Sequence, residues 1–390
     1  MRVLIGHLSD THLGAIPYDL RERERDFYLA FDEAIERMVQ EGVEMVIHSG
    51  DIFDAPKPGG DALAALARAL MKLKERGIPF FFTLGEHDIS RLGGLPSPML
   101  YQEVGVATYL KDGEAVTCGE VTIVGYHKRR RSEIPSLKER LAALGPIEGE
   151  GKKKVLVLHQ GLKEFHQYAG EITHLDLPRG FDYYAMGHLH DRFEKRFDEL
   201  KGPLCYPGST EATALEGIRE QHKGFYIVDL SGSEARPEWV ELRSVRRQAS
   251  YRVKFSELKE KVESIAEGLK KDGGRPLLHF DVEAEGGEDV DLARISAILR
   301  LLDGYDLYHD FDVISRRGEG EGGSMTLLER PSDIDEKMVE LAGSELGGRE
   351  KAEYAVKELL PLLKEGRIDE ALESLWSAYK ADRFGGGGRE

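Results

Sequence analysis

Five short clusters of ionisable side chains stand out in the 390-residue sequence: Asp10 and His12 in "SDTHLG", Asp51 in "HSGDIFD", Glu86, His87 and Asp88 in "GEHD", His159 in "LHQG", and His188 with His190 in "MGHLH". Each follows a short apolar run with the composition of a strand. One such cluster alone says little, because a D-x-H pair occurs in many folds and a buried histidine is usually just hydrogen-bonded. Five in succession at strand ends supply what two divalent cations about 4 Å apart require: an anionic bridge, neutral imidazoles and positions left for water and phosphate. Asp51 suits the bridge. A spacing of two on an extended strand puts Asp10 with His12, and His188 with His190, on one side, so each pair can point into a single site. Oxygen and nitrogen donors without thiolate suit manganese, iron, magnesium or zinc alike. His7, His48 and His127 lie near the same strands but outside the clusters, and are expected to be structural.

The elements that must position these residues are legible as alternating runs. "VLIGHLSD", "EMVIHSGD", "IPFFFTLGEHD", "VTIVGYH", "KKVLVLHQG", "FDYYAMGHLH" and "GPLCYPGS" read as strands, while residues 26–41 and 61–76 carry apolar residues at helical spacing. The alternation predicts an α/β layered domain over residues 1–245, with its site at the strand ends. From about Ser250, "SYRVKFS", a helix near 258–270, "PLLHFDVEAE", a helix near 292–302 and "FDVISRR" predict a small βαβαβ unit, taken as residues 246–317. The Gly-rich, charged stretch 318–332 reads as a linker. A helical segment, 333–384, follows, with Ile368, Ala371, Leu372, Leu375, Trp376 and Tyr379 on one stripe, and "GGGGRE" at 385–390 is expected to be disordered. A short module with such a stripe has little core of its own and fits the docking of a partner.

Composition narrows the class. No apolar run is long enough to cross a bilayer, the N-terminal run is too short for a signal peptide, and two cysteines make neither a disulfide framework nor a thiolate metal site. A cytoplasmic protein is expected. A net charge of −17 argues against coating nucleic acid by bulk electrostatics, so any phosphate contact must come from local basic runs. Those runs are residues 21–25, Arg246 with Arg247, Arg316 with Arg317, and the densest, Lys128, Arg129, Arg130 and Arg131. The chain has no asparagine, where ordinary usage would give on the order of ten or more. With few cysteines and many Glu, Lys and Arg, that fits selection at high temperature.

The five motifs, over nearly all of residues 1–245, resemble the signatures of the calcineurin-like metallophosphoesterases. The added βαβαβ unit, the helical tail, "YPGSTE" and "HKGFYIVDL" resemble, more narrowly, the nuclease subunit of the double-strand-break repair complex, the SbcD or "meiotic recombination eleven" type. The resemblance implies a layered β-sandwich flanked by helices, with an α/β cap facing DNA and a C-terminal helical docking segment. It implies one ion held by Asp10, His12, Asp51 and His190, and a second by Asp51, Glu86, His159 and His188. His87 would protonate or stabilise the leaving oxygen and Asp88 would orient its ring. The implied reaction is manganese-dependent phosphodiester hydrolysis at DNA ends and hairpins. The implied partners are an SMC-like coiled-coil repair ATPase bound through the tail, and a second copy of the chain in a homodimer at the nucleoid.

Two positions depart from the family pattern. Glu86 stands where a neutral Asn is usual; it can still ligate, but it adds one negative charge, which should tighten metal binding and lower Lewis acidity. Asp54 stands where many archaeal and eukaryotic members have a His that orients the DNA phosphate and bacterial SbcD-like members have an acid; the resemblance makes Asp54 a candidate for orienting the phosphate, and an Asp there serves equally well as the N-cap of the following helix. Two other functions stay open on sequence alone: a metallophosphoesterase acting on small phosphodiesters, and a weakly active scaffold that recruits the ATPase.

Overall fold

Strands and helices alternate because short β-branched and aromatic runs are separated by segments whose apolar residues recur at helical spacing. The computed structural model describes residues 3–90, 92–144, 152–166, 169–285, 291–316, 339, 349–360, 372 and 374–378. In chain order the strands are β1 (Leu4–Leu8), β2 (Met45–His48), β3 (Phe80–Phe82), β4 (Thr108–Tyr109), β5 (Ala115–Cys118), β6 (Val121–Tyr126), β7 (Lys153–His159), β8 (Tyr183–Gly187), β9 (Phe193–Lys195), β10 (Leu204–Tyr206), β11 (Gly224–Asp229), β12 (Arg236–Glu241), β13 (Gln248–Lys254), β14 (Leu277–Glu285) and β15 (Tyr308–Arg316). The helices of the same part are α1 (Arg21–Glu41), α2 (Gly60–Glu75), α3 (Met99–Glu103), α4 (Ile134–Ala142), α5 (Leu258–Asp272) and α6 (Leu292–Leu299).

Two six-stranded sheets form, in the orders β12-β11-β1-β2-β3-β4 and β5-β6-β7-β8-β10-β9. They pack face to face through Ile5, Ile47 and Phe81 on one side and Ile123, Val155, Val157 and Ala185 on the other. The outer face of the first sheet is covered by α1 and α2, where Phe31, Ala34, Ile35 and Met38 meet Leu4, Leu8, Val46 and Phe80. The outer face of the second is covered by α4 through Leu137 and Leu141 against Leu156, Leu158 and Met186. Period two in the strands sorts Leu4 and Leu8 to the helices and Ile5 to the partner sheet. The expected layered sandwich is present.

β13, β14 and β15 make the predicted βαβαβ unit, a parallel sheet backed by α5 and α6. Its core joins Val262, Ala266 and Leu269 to Phe280, Val282, Ile295 and Leu299. Sandwich and cap together form one compact unit, Met1–Arg316, and Arg317–Glu390 forms a second. In the latter, α7 (Arg349–Tyr354) runs into a π-helical turn, Ala355–Leu359, and Val339, Ala352 and Val356 cluster. The linker at 318–332, most of 333–384 and the tail at 385–390 lie outside the described residues.

Candidate metal centre

Parallel register brings the five motifs to one level. Leu8 pairs with His48 and His48 with Phe82, so β1, β2 and β3 end side by side and release the loops bearing Asp10, Asp51 and Glu86 along one edge. In the other sheet Tyr126 pairs with Leu158 and His159 with Gly187, which aligns the ends of β6, β7 and β8. The two edges are tied together across the sandwich. Ser49 Oγ donates to the Met186 carbonyl at 3.0 Å, His159 Nδ1 meets the Ser49 carbonyl at 2.6 Å, and the His188 N–H donates to Asp10 Oδ2 at 3.1 Å.

The backbone is strained where the ligand candidates sit. Asp10, His12, Asp51 and His188 have φ of 52°, 41°, 55° and 98°, a left-handed region that costs a non-glycine residue on the order of 1 kcal/mol or more. Such cost persists only where surrounding structure imposes it, and here it turns each carboxylate or ring inward at a strand end. Two motif glycines are required by close approach: a Cβ on Gly50 would lie 2.3 Å from His159 Nδ1, and one on Gly85 would lie 2.0 Å from Asp51 Oδ1.

The donors fall into two groups that share Asp51. Asp10, His12 and His190 offer ligand atoms within 4.8 Å of one another, as do Glu86, His159 and His188, and Asp51 falls within the same limit of Asp10 and His159 and of Glu86. Hydrogen bonding on the far side of the rings tells which nitrogen faces inward. His159 Nδ1 donates to the Ser49 carbonyl, which leaves Nε2 as a lone pair 3.3 Å from Asp51 Oδ2 and 3.2 Å from Glu86 Oε2, without a hydrogen-bond partner. His190 Nδ1 lies 3.1 Å from Glu216 Oε1, so its Nε2 also faces inward as a lone pair, 3.1 Å from His12 Nε2. With Nδ1 of His190 turned to Glu216, its Nε2 accepts from His12 Nε2, and a lone pair aimed at carboxylates, as at His159, repels unless a proton or a cation lies between. The donor set therefore fits two divalent cations, with a carboxylate behind one imidazole and a carbonyl behind another to fix the tautomers.

Where no cation lies between these groups, a proton takes its place. Burial would raise the Asp51 carboxyl, but the adjoining His159 ring draws it down to about 2. Burial opposes a charge on His159, yet Asp51 and Glu86 hold its pKa well above the ordinary imidazole value. Partial desolvation would raise Glu86, whose side chain stays 38% exposed, but His159 and His188 draw it far below the usual carboxylate range. Burial and then the Asp51 charge push Asp88 up to about 7.

Glu86 lies among the candidate ligands, with Oε1 3.0 Å from His188 Nδ1. Asp88 does not have the expected role. Its carboxylate accepts from the backbone N–H groups of Gly85, Phe53 and Ile52 at 3.0, 3.1 and 3.3 Å, tying the Asp51 loop to the Glu86 loop. The His87 ring is oriented instead by the Asp54 carbonyl, 2.8 Å from Nδ1. Asp54 is not an N-cap, since Gly59 holds that place on α2; its side chain lies 3.4 Å from His12 Nδ1.

The basic runs divide. Arg130 and Arg131 are exposed, but Arg129 pairs with Asp112 and Lys128 is drawn into the centre against Glu171. In the 21–25 run, Arg23 is fully buried. His7, His48 and His127 are structural as expected, bonded to Tyr183 and Ser49, to Thr11, and to Asp112. Glu216 and Glu171 were missed. They come from "TALEG" and "AGEIT", loops with no motif, and only folding brings them to the histidines.

Comparison with known proteins places this geometry. Residues 3–192 match the family model described as calcineurin-like phosphoesterase. The chain is 36% identical over 300 residues to the DNA double-strand break repair protein Mre11 of Thermoplasma acidophilum, covering 72% of this chain and 76% of that one. It is 32% identical over 294 residues to the Mre11 of Methanococcus maripaludis, covering 71% and 77%, and 30% identical over 327 residues to that of Sulfolobus acidocaldarius, covering 80% and 84%.

Proposed function

We propose that this chain, which belongs to the calcineurin-like phosphoesterases and within them to the Mre11 family of DNA double-strand break repair proteins, is a DNA nuclease that hydrolyses phosphodiesters with two divalent ions. The observation that carries the reading is the pair of donor groups sharing Asp51, with the inner imidazole nitrogen of His159 turned toward the Asp51 and Glu86 carboxylates. Asp10, His12, Asp51 and His190 would hold one ion, and Asp51, Glu86, His159 and His188 the other. Ions bound there would polarise the phosphodiester and make water nucleophilic at neutral pH. Manganese is our choice among the ions these donors accept.

The chain's own residues supply the remainder. Asp51 Oδ1 accepts the His87 N–H at 2.8 Å, which couples the bridging carboxylate to the position of the acid. The His87 pKa is raised, because the Asp51 charge and the Asp54 carbonyl outweigh burial. With Nδ1 donating to Asp54, the second proton of His87 sits on Nε2 and is the one available to the departing oxygen.

We read the C-terminal segment as the dock for an SMC-like ATPase, supported by the exposure of Leu372, Leu375 and Trp376. Homodimer formation is supported by Leu29 and Met71, exposed on α1 and α2. We place its work at the nucleoid, with its DNA substrate; no helix among the described residues is long and apolar enough to cross a membrane.

The test is manganese-dependent cleavage of linear and hairpin DNA by the purified protein beside a chromogenic small diester, with ion stoichiometry measured in parallel. Wild type is expected to cut DNA and His87→Ala to bind two ions without cutting. Two bound ions with no cleavage of DNA by the wild type would overturn the nuclease reading, and preference for the small diester would move the protein to another branch of the superfamily.

A further inference from the structure

We propose that Lys128, an ammonium shared between Glu171 and Glu86, offsets part of the negative charge that Glu86 brings to the second metal site and holds down that site's affinity for its ion. The inference rests on the reading of Glu86, His159 and His188 as ligands, and goes beyond it in assigning a cation to their surroundings. Lys128 follows β6 by two residues, and its side chain is only 9% exposed. Its ammonium is fixed on three sides: 2.9 and 2.8 Å from the two oxygens of Glu171, 3.2 Å from His188 Nε2 and 3.9 Å from Glu86 Oε2. Glu171 is itself anchored by Gln160 Nε2 and by the Gly161 N–H at 3.4 Å, so the ammonium is held against two of the ligands instead of reaching into solvent.

Two physical consequences follow. A neutral imidazole carries one proton, and His188 faces Lys128 with Nε2 and Glu86 with Nδ1. Donation from Lys128 to Nε2 puts the ring proton on Nδ1, the nitrogen an ion beside Glu86 would need bare. Lys128 and the ion therefore compete for one tautomer. The ammonium also repels a divalent cation at short range, in a partly buried setting where screening is weak. Glu86 adds one negative charge to the core and Lys128 offsets part of it, which keeps the second ion exchangeable. Lys128 acts through Glu86 and His188 and is a positioning residue.

The test is calorimetric titration of the full chain with Mn2+ alone, comparing wild type, Lys128→Met, Lys128→Arg, Glu86→Gln and the double variant Glu86→Gln/Lys128→Met. Removing the ammonium should tighten the second ion about tenfold or more, and Glu86→Gln should weaken it by a similar factor. The double variant should return to within about threefold of wild type, since each change offsets the other. Lys128→Arg should stay closer to wild type than Lys128→Met does. The first ion should bind alike in all five proteins, which shows that the fold is intact. Second-ion affinity that is unchanged or weaker in Lys128→Met, with two ions in wild type, overturns the role of Lys128 alone. Fewer than two ions in wild type overturns the dinuclear reading itself.

Discussion

Arg23 is the place where the sandwich can be broken with a calculable result. It is fully buried at the start of α1. Its guanidinium donates to Asp26 at 2.6 Å, to Glu211 at 3.0 Å and to the Ala212 carbonyl at 2.8 Å. Arg246, at the seam with the cap, donates through Nε and Nη2 to Asp26 at 2.5 and 2.7 Å, and its backbone N–H donates to Glu211 at 3.0 Å. Two guanidiniums and two carboxylates balance in charge, and Arg246 joins the sandwich to the strand that opens the cap. Arg23→Met keeps the length of the side chain and strands Glu211, whose side chain is fully buried. Breaking one side of a buried pair costs about 3–5 kcal/mol. At about 2 °C per kcal/mol for a unit this large, the thermal midpoint should fall by about 6–10 °C.

The loss should also depend on pH. Burial already raises the Glu211 carboxyl against the pull of Arg23, and removing Arg23 raises it further. A carboxyl with a raised folded-state pKa contributes its full stability while protonated and loses it as pH climbs through that value, so the deficit of Arg23→Met should be smallest in acid. Urea unfolding at several pH values, with Arg23→Met/Glu211→Gln beside the single variant, is the assay. The double variant should be the more stable of the two, since it carries no stranded charge. A single variant within about 1 kcal/mol of wild type, or a double variant less stable than the single one, would refute the account.

Three further outcomes are expected. Glu216→Ala should weaken the first ion about 10–100-fold by releasing His190 Nδ1, with the second ion spared in the same titration. Asp88→Asn should lower thermal stability and metal affinity together, because Asp88 ties the Asp51 and Glu86 loops through three backbone N–H groups; lost turnover with both unchanged would restore the ring-orienting role. In the cap, the hydrogen bond from Asp306 is the largest cause of a His309 pKa raised above 6.5. That stability is complete below pH 6.5 and declines as pH rises through the raised value, and His309→Asn should flatten the profile in urea titrations.

Much of this was legible in the chain. Short apolar runs in β1 and β2, buried on both faces, and apolar residues at helical spacing in α1 and α2 declared the layers. The candidate ligands stood out because carboxylates and imidazoles at strand ends have few other reasons to recur in that order, and folding gathers their donor atoms within 4.8 Å of one another in groups. The βαβαβ unit was legible from the order of its strand-like runs and helical patterns, and its three strands pair in parallel in that order.

Roles that depend on direction were not. Asp88 adjoins His87 in sequence, yet its carboxylate accepts from the backbone N–H groups of Ile52, Phe53 and Gly85, while a carbonyl 33 residues away orients the ring. Arg23 and Lys128 sit in basic runs that look solvent-facing, and both are buried because carboxylates far along the chain wait for them. Residue type and period thus decided which side chains could ligate and which layers would form, since these are local properties of the backbone. Tertiary structure alone decided which nitrogen faces inward, which carboxylate stands behind it and which cation is shut in beside it, because electrostatic partners are chosen by distance in space.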